Sequence, residues 1–326
     1  MRSALALLLL ASALAAAAPN LDELARQAAR GSPGAKAEIA RLAAAGDMQA
    51  EHLMGMMHIS GKGAERSDSQ ALEWFLRAAR KGHVESQHNA AVIYERTEGS
   101  LKDLAEARRW YREAAAKGYA RSQAKFGAFL LDGVGGPASL EEGKGWLEKA
   151  AGQGDPYGRY RLGALFLEGR GVPADVQAGA KLVRQAAEGG DREARYRLAL
   201  LYGTGAGLEK SDTLALEWLY KAAEQGLPEA QNLLGIIYGT GQLGVKRNDK
   251  LSVTWLRRAA VQGYADAEFS LGLAYYEGRG VKKDPQQAYG WMLRASRRGH
   301  GPASAYVKDI DEQMAKKRAA REARPQ

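Results

Sequence analysis

Small and apolar residues recur along most of this chain in a helical rhythm counted from glycines 46, 82, 118, 154, 190, 226 and 263. Four positions past each stands a small residue: Ala50, Ser86, Ser122, Gly158, Ala194, Ala230 and Ala267. Four further on comes a mostly large apolar one, from Met54 through Phe126, Leu162, Leu198 and Leu234 to Leu271, with Ala90 the exception. Beside it lies another small residue, such as Gly55, Ala91, Gly127 or Gly235, and three later His58, Tyr94, Leu130, Phe166, Tyr202, Tyr238 or Tyr275. Steps of four and three put these positions on one face of a helix. The small neighbours predict close approach of a second helix. That helix follows a glycine turn, G-R-G-V at Gly169 and Gly278 or G-K-G-A at Gly61, where the chain must reverse. Acidic residues Asp68, Asp175, Asp212, Asp249 and Asp284 are placed to cap it.

The second helix carries a nine-residue phrase: tryptophan, three variable residues, two small ones, two more, then glycine. It starts at Trp74, Trp110, Trp146, Trp218, Trp255 and Trp291, in steps of 36, 36, 72, 37 and 36 residues. The long step is two short ones, because Leu182 opens an otherwise intact phrase. Self-similarity at this period predicts stacked helical hairpins with one continuous core. Seven are expected, at 47–82, 83–118, 119–154, 155–190, 191–226, 227–263 and 264–299. Each tryptophan is expected in the core as a spacer between hairpins, and Leu182 should leave the fourth hairpin the softest. Residues 20–46 read as an N-terminal cap, a degenerate half-repeat with Glu38 in the tryptophan slot. Residues 300–326 read as a capping helix, seated through Ala305, Tyr306, Ile310 and Met314, with a basic tail. The pattern breaks at Thr97–Ser100, Gly133–Pro137 and Gly241–Val245, loops that are weak candidates for partner contact.

The succession small-x-x-x-L-G-x-x-Y, G-x-G-V and D-x-x-x-A-x-x-W-x-x-x-A-A-x-x-G resembles the Sel-one-like repeat (SLR) family over residues 47–299. The resemblance implies an all-α fold: a right-handed α/α superhelical solenoid, related to tetratricopeptide repeats, of about seven helix-turn-helix units with N- and C-terminal capping helices. It also implies an adaptor that holds partner proteins. One exported, cysteine-rich branch of the family acts on penicillin-like substrates; this chain has no cysteine, so that activity is not carried over.

Composition adds the compartment. Arg2, the apolar run Ala4–Leu14 and the alanines at 15–18 form a signal-peptide pattern, with cleavage expected after Ala17 (segment 1–17). The apolar run is shorter than the roughly 20 residues a membrane span needs. The reading is therefore a periplasmic or secreted bacterial protein without disulfides, without a lipid-acceptor cysteine and without a stable membrane span. A formal net charge of +9 is moderate for 326 residues, and no nucleic-acid-binding motif accompanies it. The basic run K-K-R-A-A-R-E-A-R, ending at Arg324, is a candidate contact for an anionic surface.

Little in the chain points to catalysis or cofactors. There is no phosphate-binding loop, G-x-S-x-G elbow or S-x-x-K motif, and the carboxylates fall at caps and exposed positions. His52/His58 and His83/His88 lack the i, i+4 spacing that puts two ligands on one helix face. No catalytic residue, cofactor or metal is assigned. A binding face is. Six residues past each phrase glycine lie His52, His88, Ala124, Tyr160, Tyr196, Asn232 and Phe269, expected to point into the concave groove. One turn earlier stands Tyr157, and the duplicated R-Y-R-L run adds Arg159, Arg161, Arg195 and Arg197. Tyrosine and arginine commonly anchor interfaces, so the predicted function is a scaffold holding a protein or extended peptide of somewhat acidic character. A binder of cell-wall glycan or peptide is the alternative, and a cell-wall or β-lactam hydrolase a third.

Overall fold

The phrase glycines adopt the left-handed backbone that a helix end requires. At Gly82, with φ +99°, the glycine N–H reaches the Ala79 carbonyl at 3.0 Å and the His83 N–H reaches Ala78 at 3.1 Å. These bonds close the helix and launch the next one. Gly118 repeats the device with bonds of 2.9 and 3.2 Å. Each such end feeds a first helix whose opening N–H groups are capped by Asp47, His83, Asp155 or Asp191 in hairpins one, two, four and five.

The computed structural model describes residues 20–322. The expected signal segment 1–17, and residues 323–326 of the basic tail, lie outside them. The described residues form 17 α-helices and one 3-10 turn, with no strand. They fall into two units divided between Gly158 and Arg159. The first begins with the cap helices α1 (Leu21–Ala29) and α2 (Pro33–Ala44). Three hairpins follow: α3 (Met48–Ser60) with α4 (Asp68–Arg80), α5 (Val84–Arg96) with α6 (Leu104–Ala116), and α7 (Ala120–Asp132) with α8 (Leu140–Gly152). The division falls inside α9 (Pro156–Glu168). The second unit continues with α10 (Val176–Glu188), α11 (Arg192–Thr204), α12 (Asp212–Glu224), α13 (Pro228–Thr240), α14 (Asp249–Ala260), α15 (Ala265–Glu277), α16 (Pro285–Arg297) and α17 (Gly301–Glu322). In the first unit each helix from α1 to α8 packs on its neighbours in sequence, and in the second each from α10 to α17 does.

In six of the seven hairpins the deepest core slot is not the tryptophan position but the residue after it; in the sixth, Trp255 and Leu256 are buried alike, at 4% and 5% exposed. Phe75, Tyr111, Leu147, Val183, Leu219 and Met292 are at most 1% exposed, and Ile39 fills the same slot in the cap. Trp110 and Trp255 are buried, whereas Trp74, Trp146, Trp218 and Trp291 are half-buried, as is Leu182. The expectation of a uniform tryptophan core is thus corrected by helix geometry. Successive residues are turned about 100° apart, so only one of the two can face the first helix squarely. Opposite the deep slot the small residues are required. A Cβ on Gly55 would lie 2.5 Å from Phe75, and one on Gly127 would lie 2.8 Å from the Gly143 carbonyl.

Two local expectations shift by one position. Asp175 and Asp284 cap their helices, but Ser67, Ser211 and Asn248 do so where Asp68, Asp212 and Asp249 were expected. The neutral side chains hold the cap, and the aspartates take the first turn, where negative charge meets the positive helix end. In α17, Ala303 and Val307 are buried and Ile310 half-buried, while Ala305 and Tyr306 are exposed. Ile310 thus seats as expected, Ala305 and Tyr306 do not, and the side chain of Met314 lies outside those described. No helix among the described residues is long and apolar enough to cross a membrane.

A polar slot is buried beside this core, five positions past the phrase glycine. Gln87, Gln123, Arg195 and Gln231 each donate to a carbonyl at the end of the preceding helix, eight residues back, at 2.9–3.2 Å. Glu51 and Glu268 occupy the slot in the first and seventh hairpins and cannot donate when ionised. The second helix of the same hairpin supplies cations instead: Arg77 at 3.1 Å and Lys81 at 2.8 Å for Glu51, and Arg298 at 3.3 Å for Glu268.

Candidate functional site

The predicted binding residues lie on the first helices of their hairpins, and packing there sorts them. Arg195 is a structural clamp: its Nε donates to the Ala187 carbonyl at 3.1 Å. Asn232 is buried at 7% exposure, and the Phe269 ring packs 4.6 Å from His300 and 5.8 Å from Tyr306. Neither points freely into a groove, because position six faces the adjacent hairpin. His52, His88 and Ala124 behave likewise: His52 and Ala124 are buried, and His88 packs against Tyr111 and Tyr119. Tyr157 belongs to the first unit, where the Lys125 ammonium sits 5.3 Å from its ring centre.

What remains is a cluster in the second unit. Tyr160 packs against the core of Val183 and Leu198, and Tyr196 against that of Leu219 and Leu234. Burial pushes both hydroxyls above the ordinary tyrosine range; Asp191 adds to this at Tyr160 and Glu229 at Tyr196, while Arg197 pulls both back. Arg161 acts on Tyr160 in the same sense as Arg197. Tyr160, Arg161, Tyr196 and Arg197 are half-buried on two successive first helices, with Arg197 bearing on both tyrosines and Asp191, Glu193 and Glu229 acting beside them. Arg159 is half-buried on the same helix. The face is mixed in charge rather than purely cationic.

Two features were not legible as sites. The first is a cation over each tryptophan ring: Arg77, Lys149, Lys221, Arg258 and Arg294 lie 4.1–4.6 Å from the centroid of the tryptophan three residues earlier, and Arg109 lies 4.7 Å from Trp110. The W-x-x-[KR] spacing carried this signal, since residues three apart share a helix face. The second joins the first two hairpins. His52 and His83 stack with ring centroids 4.5 Å apart, and Glu85 Oε2 lies 3.7 Å from His52 Nε2. Burial lowers the His52 pKa to about 4, with a smaller contribution from His83, and burial also lowers that of His83 itself. Spacing along one helix does not reveal this convergence, because the members come from different hairpins.

Repeated helix pairs, each sharing its core with the next within its unit, define an α/α repeat fold. The Sel1 repeat family matches residues 49–83, 84–119, 120–155, 156–191, 192–227, 228–264 and 265–300, and the chain belongs to that family. A Sel1 repeat protein from Oxalobacter formigenes is 28% identical, with a TM-score of 0.64 over 89% of this chain and 85% of that one. The c5321 protein, a protective antigen of uropathogenic Escherichia coli with an SLR fold, is 27% identical, with a TM-score of 0.50 over 90% and 82%. Yeast Tom70, 12% identical, has a TM-score of 0.51 over 86% of this chain and 59% of its own, which is a likeness of fold alone. No curated protein sequence matches the chain.

Proposed function

We propose that this chain is an exported, non-enzymatic scaffold that holds a partner protein or an extended peptide on the first-helix face of its hairpins. One observation carries the reading: Tyr160, Arg161, Tyr196 and Arg197 gather on successive first helices of a Sel1 repeat chain. Aromatic bodies with polar tips, beside guanidinium groups, supply the anchors that interfaces favour. The flanking Asp191, Glu193 and Glu229 suit a partner segment of mixed charge better than a purely acidic one. Export rests on the signal-peptide pattern of the first residues.

A photo-crosslinking residue at position 196, compared with one at Glu217 on a second helix, tests the proposal in envelope extract. Adducts specific to position 196 are expected, and they should disappear when Tyr160, Arg161 and Arg197 are replaced together. Identical adducts from both positions, with an unchanged helical spectrum, would end it. Binding of purified peptidoglycan that depends on the same residues would reassign the face to the cell wall.

A further inference from the structure

We infer that His52, His83 and Glu85 form a binding site for a divalent transition-metal ion of the Zn2+ type, built across the first two hairpins. Their donor atoms lie within 4.8 Å of one another. His52 Nε2 and Glu85 Oε2 already stand 3.7 Å apart. Ligand atoms around tetrahedral Zn2+ sit roughly 3.3–3.5 Å apart, from metal–ligand bonds of about 2.0–2.2 Å. The adjustment needed falls to Glu85, whose side chain is 59% exposed and able to swing, while His52 is held in the core. Two imidazoles and one carboxylate, with a position left open to solvent, form a donor set that suits this ion.

The surrounding hydrogen bonds argue for ligation more specifically than proximity does. Ser86 is fully buried, and its Oγ lies 2.9 Å from His52 Nδ1 and 3.0 Å from His83 Nδ1. One hydroxyl oxygen can accept from both Nδ1–H groups, which leaves both Nε2 lone pairs for a metal. An outer partner that fixes the tautomer of a ligating histidine is a common feature of metal sites. Without the ion, His83 has another use: its Nδ1 accepts the Ser86 backbone N–H at 3.2 Å as a helix cap, and its Nε2 donates to Gln49 Oε1 at 3.0 Å. Metal binding therefore moves the His83 proton from Nε2 to Nδ1, gives up one capping bond and releases the Gln49 oxygen, which is then available as a fourth donor.

The chain contains its own controls. In the second hairpin His88 makes the same bond to Ser122, at 2.8 Å, but Tyr119 stands where His83 does and Arg121 where Glu85 does. At the seventh hairpin Phe269 stacks on His300 as His52 stacks on His83. Ring stacking alone thus does not require imidazole at position 52. The site should appear once per chain.

Calorimetric titration of Zn2+ into the chelator-stripped full chain near pH 7.5 tests this, with Co2+ absorption as a second readout. One ion per chain is expected, at micromolar affinity or tighter. His52→Phe, which copies Phe269, and His83→Tyr, which copies Tyr119, should each weaken binding at least tenfold with helicity unchanged. Glu85→Gln, at an exposed position that folding does not need, should weaken it by about tenfold and shift the Co2+ bands. Absence of stoichiometric binding to the wild-type chain, or binding weakened less than threefold by both His52→Phe and Glu85→Gln, would overturn the inference.

Discussion

The first and third hairpins solve one packing problem in two ways. Both bury a polar side chain five positions past the phrase glycine. In the third, Gln123 Nε2 donates to the Ala115 carbonyl at 3.2 Å, and its Oε1 accepts from Gln153 at 2.7 Å. In the first, Glu51 can donate nothing, so Arg77 bonds both to its carboxylate and to the Ala43 carbonyl left without a glutamine, and Lys81 adds a second cation. The slot therefore tolerates either a neutral amide or a charge. The condition is that the second helix of the same hairpin, about 26 to 30 residues on, supplies the matching group. The third hairpin carries Gln153 in the place of Lys81, so a glutamate at position 123 would lack that cation as the chain stands.

The sharpest way to break the contrast is to strip the cations from the first hairpin. Arg77→Ala with Lys81→Ala leaves Glu51 buried and uncompensated, and should cost about 3–5 kcal/mol in a urea melt. Next comes the deep slot: Leu147→Ala should cost about 3 kcal/mol and exceed Trp146→Ala, because Leu147 is fully buried and Trp146 only half so. A tryptophan loss equal to or larger than the leucine loss would restore the comb of rings as the principal core. Acid should then separate the hairpins. Burial holds the His52 and His88 pKa values near 4, against an ordinary value of 6.5. Between those limits the unfolded chain binds more protons than the fold. Stability should therefore drop as pH falls from about 6.5 to about 4, by on the order of 2–3 kcal/mol for each histidine, and level off below. Hydrogen exchange should show α3 and α5 losing protection before α7, whose hairpin has no histidine.

Smaller effects sharpen the same comparison. Gln123→Glu should cost about 2 kcal/mol at neutral pH, from a buried carboxylate without a cation, and most of that should return when Gln153→Lys is added. Glu51→Gln should cost about 1 kcal/mol or less, since the amide can still accept from Arg77 and Lys81. A loss above about 3 kcal/mol there would mean that the charge itself, rather than a filled polar slot, is what the first hairpin needs.

The seven helical repeats, the left-handed glycines and the small residues opposite the deep slot were all legible in the chain. Each is dictated locally: a helix end needs positive φ, and two close helices leave no room for a Cβ. The candidate face was legible only in part. Tyr160, Arg161, Tyr196 and Arg197 share a register on successive first helices and are half-buried there. Arg195 reads as a surface charge in sequence and proves to be a backbone clamp, and Phe269 reads as an open contact and proves to be stacked on His300.

What the sequence determined by itself is the repeat, because a 36-residue period and its phrase recur at short range and need no partner to be seen. What only the tertiary structure decided is how helices distant in sequence finish one another. Glu51 meets Arg77 and Lys81 only once its own hairpin closes, and His52 meets His83 and Glu85 only once the first two hairpins stack. Such pairs lie about 30 residues apart, with no periodic signature of their own. Their energy comes from desolvation and charge at a contact that exists only in the folded stack.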